Sequence, residues 1–257
     1  MKGITGPLPP VLTLGGNKQT DPMSLKVQPA RGPEAVSEAV RLLKAGGVIA
    51  LPTDTLYGIA AHSQANTGVE RLYSIKNRSR SMPIALCCSQ PSDLPSFANT
   101  QSLPHTALSQ LLPGPYTLIL PTRDLPDNLQ FADSLTRGLS VLGFRVPRSE
   151  FARCVCEQLG SPIALTSANF SGDPSPVECC EFEPMHPLLD MVFDGGRVGD
   201  DSADPTHAGS TVIDLSAQPG RTFKVLRPGA GCEAARSALS SHGLHEESNE
   251  NRESLRI

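Results

Sequence analysis

The chain has no tryptophan, and three tyrosines and eight phenylalanines are its only aromatics in 257 residues. That scarcity excludes the stacking platforms on which single-stranded nucleic acid is held. Positive charge is not in excess either. The 22 Lys and Arg stand against 26 Asp and Glu, a formal −4, which argues against a broad footprint for a polyanion but leaves room for a local basic pocket. No apolar run nears the roughly 20 residues that cross a bilayer. No Cys-x-x-Cys pair occurs among the seven cysteines, whose odd number speaks against a disulfide framework as well as a zinc site. Free thiols in a reducing compartment fit better. A G-x-x-x-x-G-K-S/T loop is also missing, so any ATP site is not of the Walker type. The six histidines fall in loops or the tail and give no readable nucleophilic triad, and Asp200, Asp201 and Asp204 lack EF-hand spacing.

What is present is regular. Residues 1–30 are rich in Pro and Gly and aperiodic, and read as a disordered leader. Lys2, Lys18 and Lys26 against Asp21 give that leader the weak cationic balance of a mitochondrial presequence, and Met23 offers an internal start. The protein is therefore expected in the cytoplasm and also in mitochondria. A folded domain is expected over 31–242 and a charged, disordered tail over 243–257. Within the domain, Pro33 to Ala45 is an amphipathic helix with proline at its start and Gly46-Gly47 at its end. Further helical patterns lie at 67–76, 92–98, 104–112, 149–159 and 232–241. Apolar runs at 47–51, 83–88, 116–120, 139–146, 162–166, 190–194, 210–215 and 222–226 read as strands. Interleaved helices and strands indicate an α/β (α+β) domain with a mixed sheet.

Four strands run into polar side chains: Pro52-Thr-Asp-Thr55, Thr166-Ser-Ala-Asn169, Asp194-Gly-Gly196 and Gly209-Ser-Thr-Val212. Each alone is readable as a turn whose hydroxyls bond their own backbone. Together they suggest one pocket lined by neutral donors and acceptors. Lys76-Asn-Arg78-Ser-Arg80 closes a helix, where cations either complement the dipole or await phosphate. Arg145, inside the apolar run Val141 to Val146, needs an anion, and a structural acid or a ligand carboxylate would serve.

These segments, with Pro113-Gly-Pro-Tyr-Thr117, Arg145-Val-Pro147 and Arg227-Pro-Gly229, resemble in order the motifs of the YrdC/Sua5 family, the threonylcarbamoyl-AMP synthases. The short form resembles the animal YrdC-domain type. The resemblance implies a single YrdC-like domain, a twisted mixed β-sheet flanked by helices with a central concave pocket. It implies that L-threonine, bicarbonate or CO2, and ATP give threonylcarbamoyl-AMP and pyrophosphate for the t6A modification of tRNA, with Mg2+ accompanying ATP. By the same resemblance Arg145, Lys76 and Arg78 are catalytic, and Thr55, Arg145, Ser167, Ser210 and Cys87 bind threonine. Lys76, Arg78, Leu165, Asn169, Ser175 and Arg227 bind ATP. Met82 departs from the family's usual Lys or Asn, with Arg80 as a substitute, and Cys87 stands where some members have His. The implied partners are the small substrates, a downstream tRNA threonylcarbamoyl-transferase complex and a weak RNA contact. Loop 197–209 is the expected cover, on its glycine and charge content.

Three other readings compete. A non-catalytic double-stranded RNA-binding module on the same fold predicts salt-sensitive RNA binding without turnover. A hydrogenase-maturation carbamoyltransferase would need zinc-finger and acylphosphatase regions. A dihydroxybutanone-phosphate synthase would need acidic metal ligands.

Overall fold

The computed structural model describes residues 27–79, 82–101, 103–125, 130–199, 208–217 and 221–247. Apolar runs bounded by Pro or Gly become strands, and segments with 3.6-residue periodicity become helices. The first half holds β1 (Val27–Pro29), α1 (Gly32–Lys44), β2 (Val48–Pro52), β3 (Tyr57–His62), α2 (Asn66–Lys76), β4 (Ala85–Cys87), α3 (Leu94–Phe97), α4 (His105–Leu111) and β5 (Tyr116–Pro121). The second half holds α5 (Asp133–Thr136), β6 (Val141–Arg145), α6 (Glu150–Leu159), β7 (Ile163–Ser167), β8 (Met191–Asp194), β9 (Thr211–Asp214), β10 (Thr222–Arg227), α7 (Cys232–Ser241) and β11 (His245–Glu246).

The strands form one mixed sheet in the order β1-β8-β2-β3-β7-β4-β6-β5-β9-β10-β11. Period-two alternation divides β2 between two apolar layers, with Val48 and Ala50 in one and Ile49 and Leu51 in the other. The second layer is covered by α1 and α6, where Phe151 and Phe193 pack with ring centroids 5.0 Å apart. In a flat sheet β2 and β6, four places apart, would be separated by about 19 Å. Yet the Arg145 side chain of β6 meets the residues that follow β2. The sheet is therefore bent into a trough, and the site lies in it.

Three expectations need correction. The sheet takes in Val27–Pro29, inside the expected leader, because these residues pair in parallel with β8. It also takes in His245–Glu246, inside the expected tail, through pairing with Thr222 and Phe223. The helix expected at 92–98 is a 3-10 turn followed by the single turn of α3, since Pro91 and Pro95 cannot donate to a longer helix. The rest of the leader (1–26) and tail (248–257), together with Arg80 and residues 200–207 of the expected covering loop, lies outside the described residues.

Candidate active site

The β2–β3 hairpin turns through Thr53–Leu56. The Thr53 hydroxyl donates to the Leu56 carbonyl (2.6 Å) and accepts from the Thr55 and Leu56 N–H groups (3.2 Å each). For Thr53 the turn reading is thus correct. Thr55 and Asp54 face outward from that turn and take up Arg145. Arg145 Nη2 donates to Thr55 Oγ1 (2.7 Å) and to Thr53 Oγ1 (3.2 Å), and it forms an ion pair with Asp54 Oδ1. Asp54 Oδ2 accepts the Arg148 N–H at 3.0 Å, so the carboxylate joins the hairpin to the β6–α6 connection. Arg145 Nε is buried and has no partner among the described residues.

Two further guanidiniums approach from other elements. Arg227, at the end of β10, donates through Nη2 to the Ser210 carbonyl (3.0 Å) and hydroxyl (3.3 Å). The Ser210 hydroxyl lies 2.8 Å from that of Thr117 on β5. Arg78, just past α2, is tethered by the Met82 and Pro83 carbonyls, each at 3.1 Å. Burial lowers the pKa of Arg78, and burial together with Arg145 and Arg78 lowers that of Arg227. Neither is paired with a carboxylate among the described residues.

Lys76 ends α2 and turns toward the end of β7. Its Nζ donates to the Ser167 carbonyl (2.9 Å), the Asn169 Oδ1 (2.9 Å), the Ser167 hydroxyl (3.3 Å) and the Asn169 carbonyl. Burial, with Arg78 nearby, still pulls its pKa down to about 8, and Asp173 opposes the shift. Asn169 Nδ2 in turn donates to the Phe170 and Asp173 carbonyls.

Arg78, Arg145, Leu165, Ser167, Ser175, Ser210 and Arg227 line a single cavity of about 320 Å3, and no Asp or Glu among the described residues lines it. Thr55 reaches the cavity only through Arg145, and Lys76 and Asn169 stand behind Ser167. Cys87 does not belong to the site. Its side chain is fully buried in the layer under α6, with its sulfur 3.8 Å from that of Cys156; it shares the Arg145 face of the sheet but sits where α6 covers that face, one step along β4 and β7 beyond the Ala85 and Leu165 of the cavity wall. Asp194-Gly-Gly196 also lies elsewhere. There the Tyr57 hydroxyl donates to the Gly196 carbonyl (2.6 Å) and accepts from the Gly195 N–H (2.9 Å), with Asp194 3.0 Å away. Thr53 and Thr117 line the cavity, and Asp54 pairs with a wall residue, without having been given roles. All three occur within the quoted motifs, which was the available signal. Gly58 gives the wall a close approach, since a Cβ there would stand 2.6 Å from Leu165 Cδ1 and 3.1 Å from the Thr166 carbonyl oxygen.

Comparison with known proteins shows the family. The Sua5/YciO/YrdC family model, described as "Telomere recombination", matches residues 41–229. The threonylcarbamoyl-AMP synthase of Bos taurus is 36% identical over 218 residues, covering 84% of this chain and 76% of its own. That of Homo sapiens is 35% identical over 212 residues, covering 82% and 73%. The crystal structure of P. abyssi Sua5 complexed with L-threonine superposes with a TM-score of 0.69 at 26% identity, over 86% of this chain. This chain spans 61% of that larger protein. On the matched model and the extent of these likenesses, the chain belongs to the Sua5/YciO/YrdC family.

Proposed function

We propose that the cavity joins L-threonine, bicarbonate or CO2, and ATP into threonylcarbamoyl-AMP and pyrophosphate, the activated carbamate used for t6A modification of tRNA. The observation that carries this reading is three arginines around one cavity without an acidic wall residue, one of them with a buried, unpartnered Nε beside hydroxyl groups. The relatives named for this activity, and the relative crystallised with L-threonine, support it.

The threonine carboxylate docks on Arg145, where a guanidinium edge offers directed hydrogen bonds. Ser167, Ser210 and Thr117 offer hydroxyls for the remaining polar atoms. The threonine amine adds to CO2, or to bicarbonate with loss of water, and gives a carbamate. A carbamate oxygen then bonds to the α-phosphorus as the bond to pyrophosphate breaks. Arg78 and Arg227 face the negative charge that develops on the phosphates. No histidine among the described residues lines the cavity, so positioning and electrostatics supply the catalysis. The cavity's donors do not fit a protein-held Mg2+: no group of three His, Cys, Asp or Glu is placed to hold a metal among the described residues. Magnesium would arrive on the triphosphate. A tRNA threonylcarbamoyl-transferase would receive the labile product, in the cytoplasm and in mitochondria.

ATP–pyrophosphate exchange tests the reading. Exchange should require both threonine and bicarbonate and should fall sharply in Arg78→Ala through weaker use of ATP. Exchange that ignores threonine, or RNA binding without any exchange, would replace the synthase with the rival RNA-binding module.

A further inference from the structure

The three cavity arginines are not equivalent. Arg145 carries a carboxylate partner, whereas the hydrogen bonds of Arg78 and Arg227 run to carbonyl and hydroxyl oxygens. Left to charge alone, a triphosphate or pyrophosphate would outcompete a single carboxylate for all three, because each added negative charge strengthens its attraction. Asp54 changes this at one place. Its side chain is 9% exposed, and its two oxygens are fixed by Arg145 Nη2 and the Arg148 N–H, so it cannot swing aside. The pair offsets part of the charge on Arg145, which still lines the cavity. Such a group suits a ligand that needs oriented hydrogen bonds and attracts weakly one that needs net charge.

We propose that Asp54 is a specificity-determining residue: by half-neutralising Arg145 it reserves that end of the cavity for the amino-acid carboxylate and confines the polyphosphate to Arg78 and Arg227. The inference rests on the synthase reading and deepens it. Asp54 touches no substrate itself and acts through Arg145.

The test is threonine binding by calorimetry on the full chain, with inorganic pyrophosphate as the competing probe. For the unaltered protein, the apparent threonine Kd should shift slightly with pyrophosphate and then reach a plateau, as for separate sites. In Asp54→Asn, which keeps an oxygen for the Arg148 N–H, the apparent Kd should climb with pyrophosphate without a plateau. The rise should reach at least about tenfold, since an uncancelled unit charge a few ångströms away is worth more than one factor of ten. Asp54→Ser provides a second charge-free version if the amide folds poorly. Thr55→Val removes a hydrogen bond from Arg145 but keeps the carboxylate, so it should weaken threonine and still show the plateau. A plateau in both Asp54 variants, or competition in Thr55→Val, overturns the inference. Failure of the unaltered protein to bind threonine at all overturns the synthase reading instead.

Discussion

Two polar strand ends on the same edge of the sheet, one strand apart, close on a buried cation, and they do so differently. After β2, two threonine hydroxyls and a carboxylate hold the Arg145 guanidinium. At the end of β7, two backbone carbonyls, an amide oxygen and a hydroxyl hold the Lys76 ammonium. Gly58 of β3 pairs with Leu51 on one side and Ser167 on the other, so β3 alone separates the two ends. Arg145 lines the cavity, whereas the four contacts of Lys76 turn it into a strut beneath Ser167 and Asn169. The difference follows from geometry: a planar fork can be held along one edge and still present another, while a compact ammonium surrounded by oxygens has no face left. The same sequence device, a hydroxyl-tipped strand end, thus yields a ligand-facing cation in one case and a structural one in the other.

The largest expected effect comes from deleting the first cation. Arg145→Ala removes the carboxylate-binding group and leaves Asp54 without its ionic partner. Removing one member of a buried pair costs about 3–5 kcal/mol, so the variant should melt well below the parent as well as lose threonine-dependent exchange. Thermal unfolding and calorimetry read the two losses separately. Threonine affinity near the parental value would erase the distinction between the two strand ends.

Deleting the second cation should act on the scaffold first. Lys76→Met leaves carbonyl oxygens of the β7 turn without their donor, at a cost of about 1–3 kcal/mol. The pH dependence sharpens the comparison. Folding lowers the Lys76 pKa from 10.5 to about 8. Between those values the unfolded chain holds a proton that the folded chain has released, so stability rises with pH in that window. The stability difference between parent and Lys76→Met should therefore grow in the parent's favour from about pH 8 to 10.5 in urea titrations. A difference that stays level up to about pH 10.5 and shrinks above it would mean that the oxygens, rather than burial, govern the lysine.

How much of this was legible varies by element. Central strands such as β2 and β7 were readable because apolar runs ended at Pro or Gly. Tyr57–His62 was not, because Gly58 and two alanines dilute the β signal; the glycine is there to admit Leu165. Strands of two or three residues, β1 and β11, are shorter than any periodicity can register. At the site, Arg145 stood out as a charge within an apolar run, and the acid that meets it lay in a motif already singled out. The partners of Lys76 are largely backbone carbonyls, which leave no trace in residue identity. The Asp194-Gly-Gly196 segment was grouped with the pocket segments on the composition of its strand end, yet the Tyr57 hydroxyl and the Gly195–Gly196 backbone take up that end.

The smallest expected effect concerns Cys87, for which the family resemblance and the fold disagree. The cysteine pairs in register with Arg145, close enough in the sheet to suggest a shared role. Its thiol, however, packs among Ala60, Ile163 and Leu165 in the layer beneath α6, beside Cys156. An atom there does not line the cavity and can influence threonine only through its neighbours on that face. Cys87→Ala removes one buried sulfur and should cost about 1 kcal/mol of stability, within the range of ordinary core truncations. The threonine Kd, measured by calorimetry, should stay within about twofold, since Cys87 does not line the cavity and alanine keeps the β4 register. A tenfold weaker threonine with unchanged unfolding would return Cys87 to the pocket, acting through Arg145 or Leu165 on the same face of the sheet.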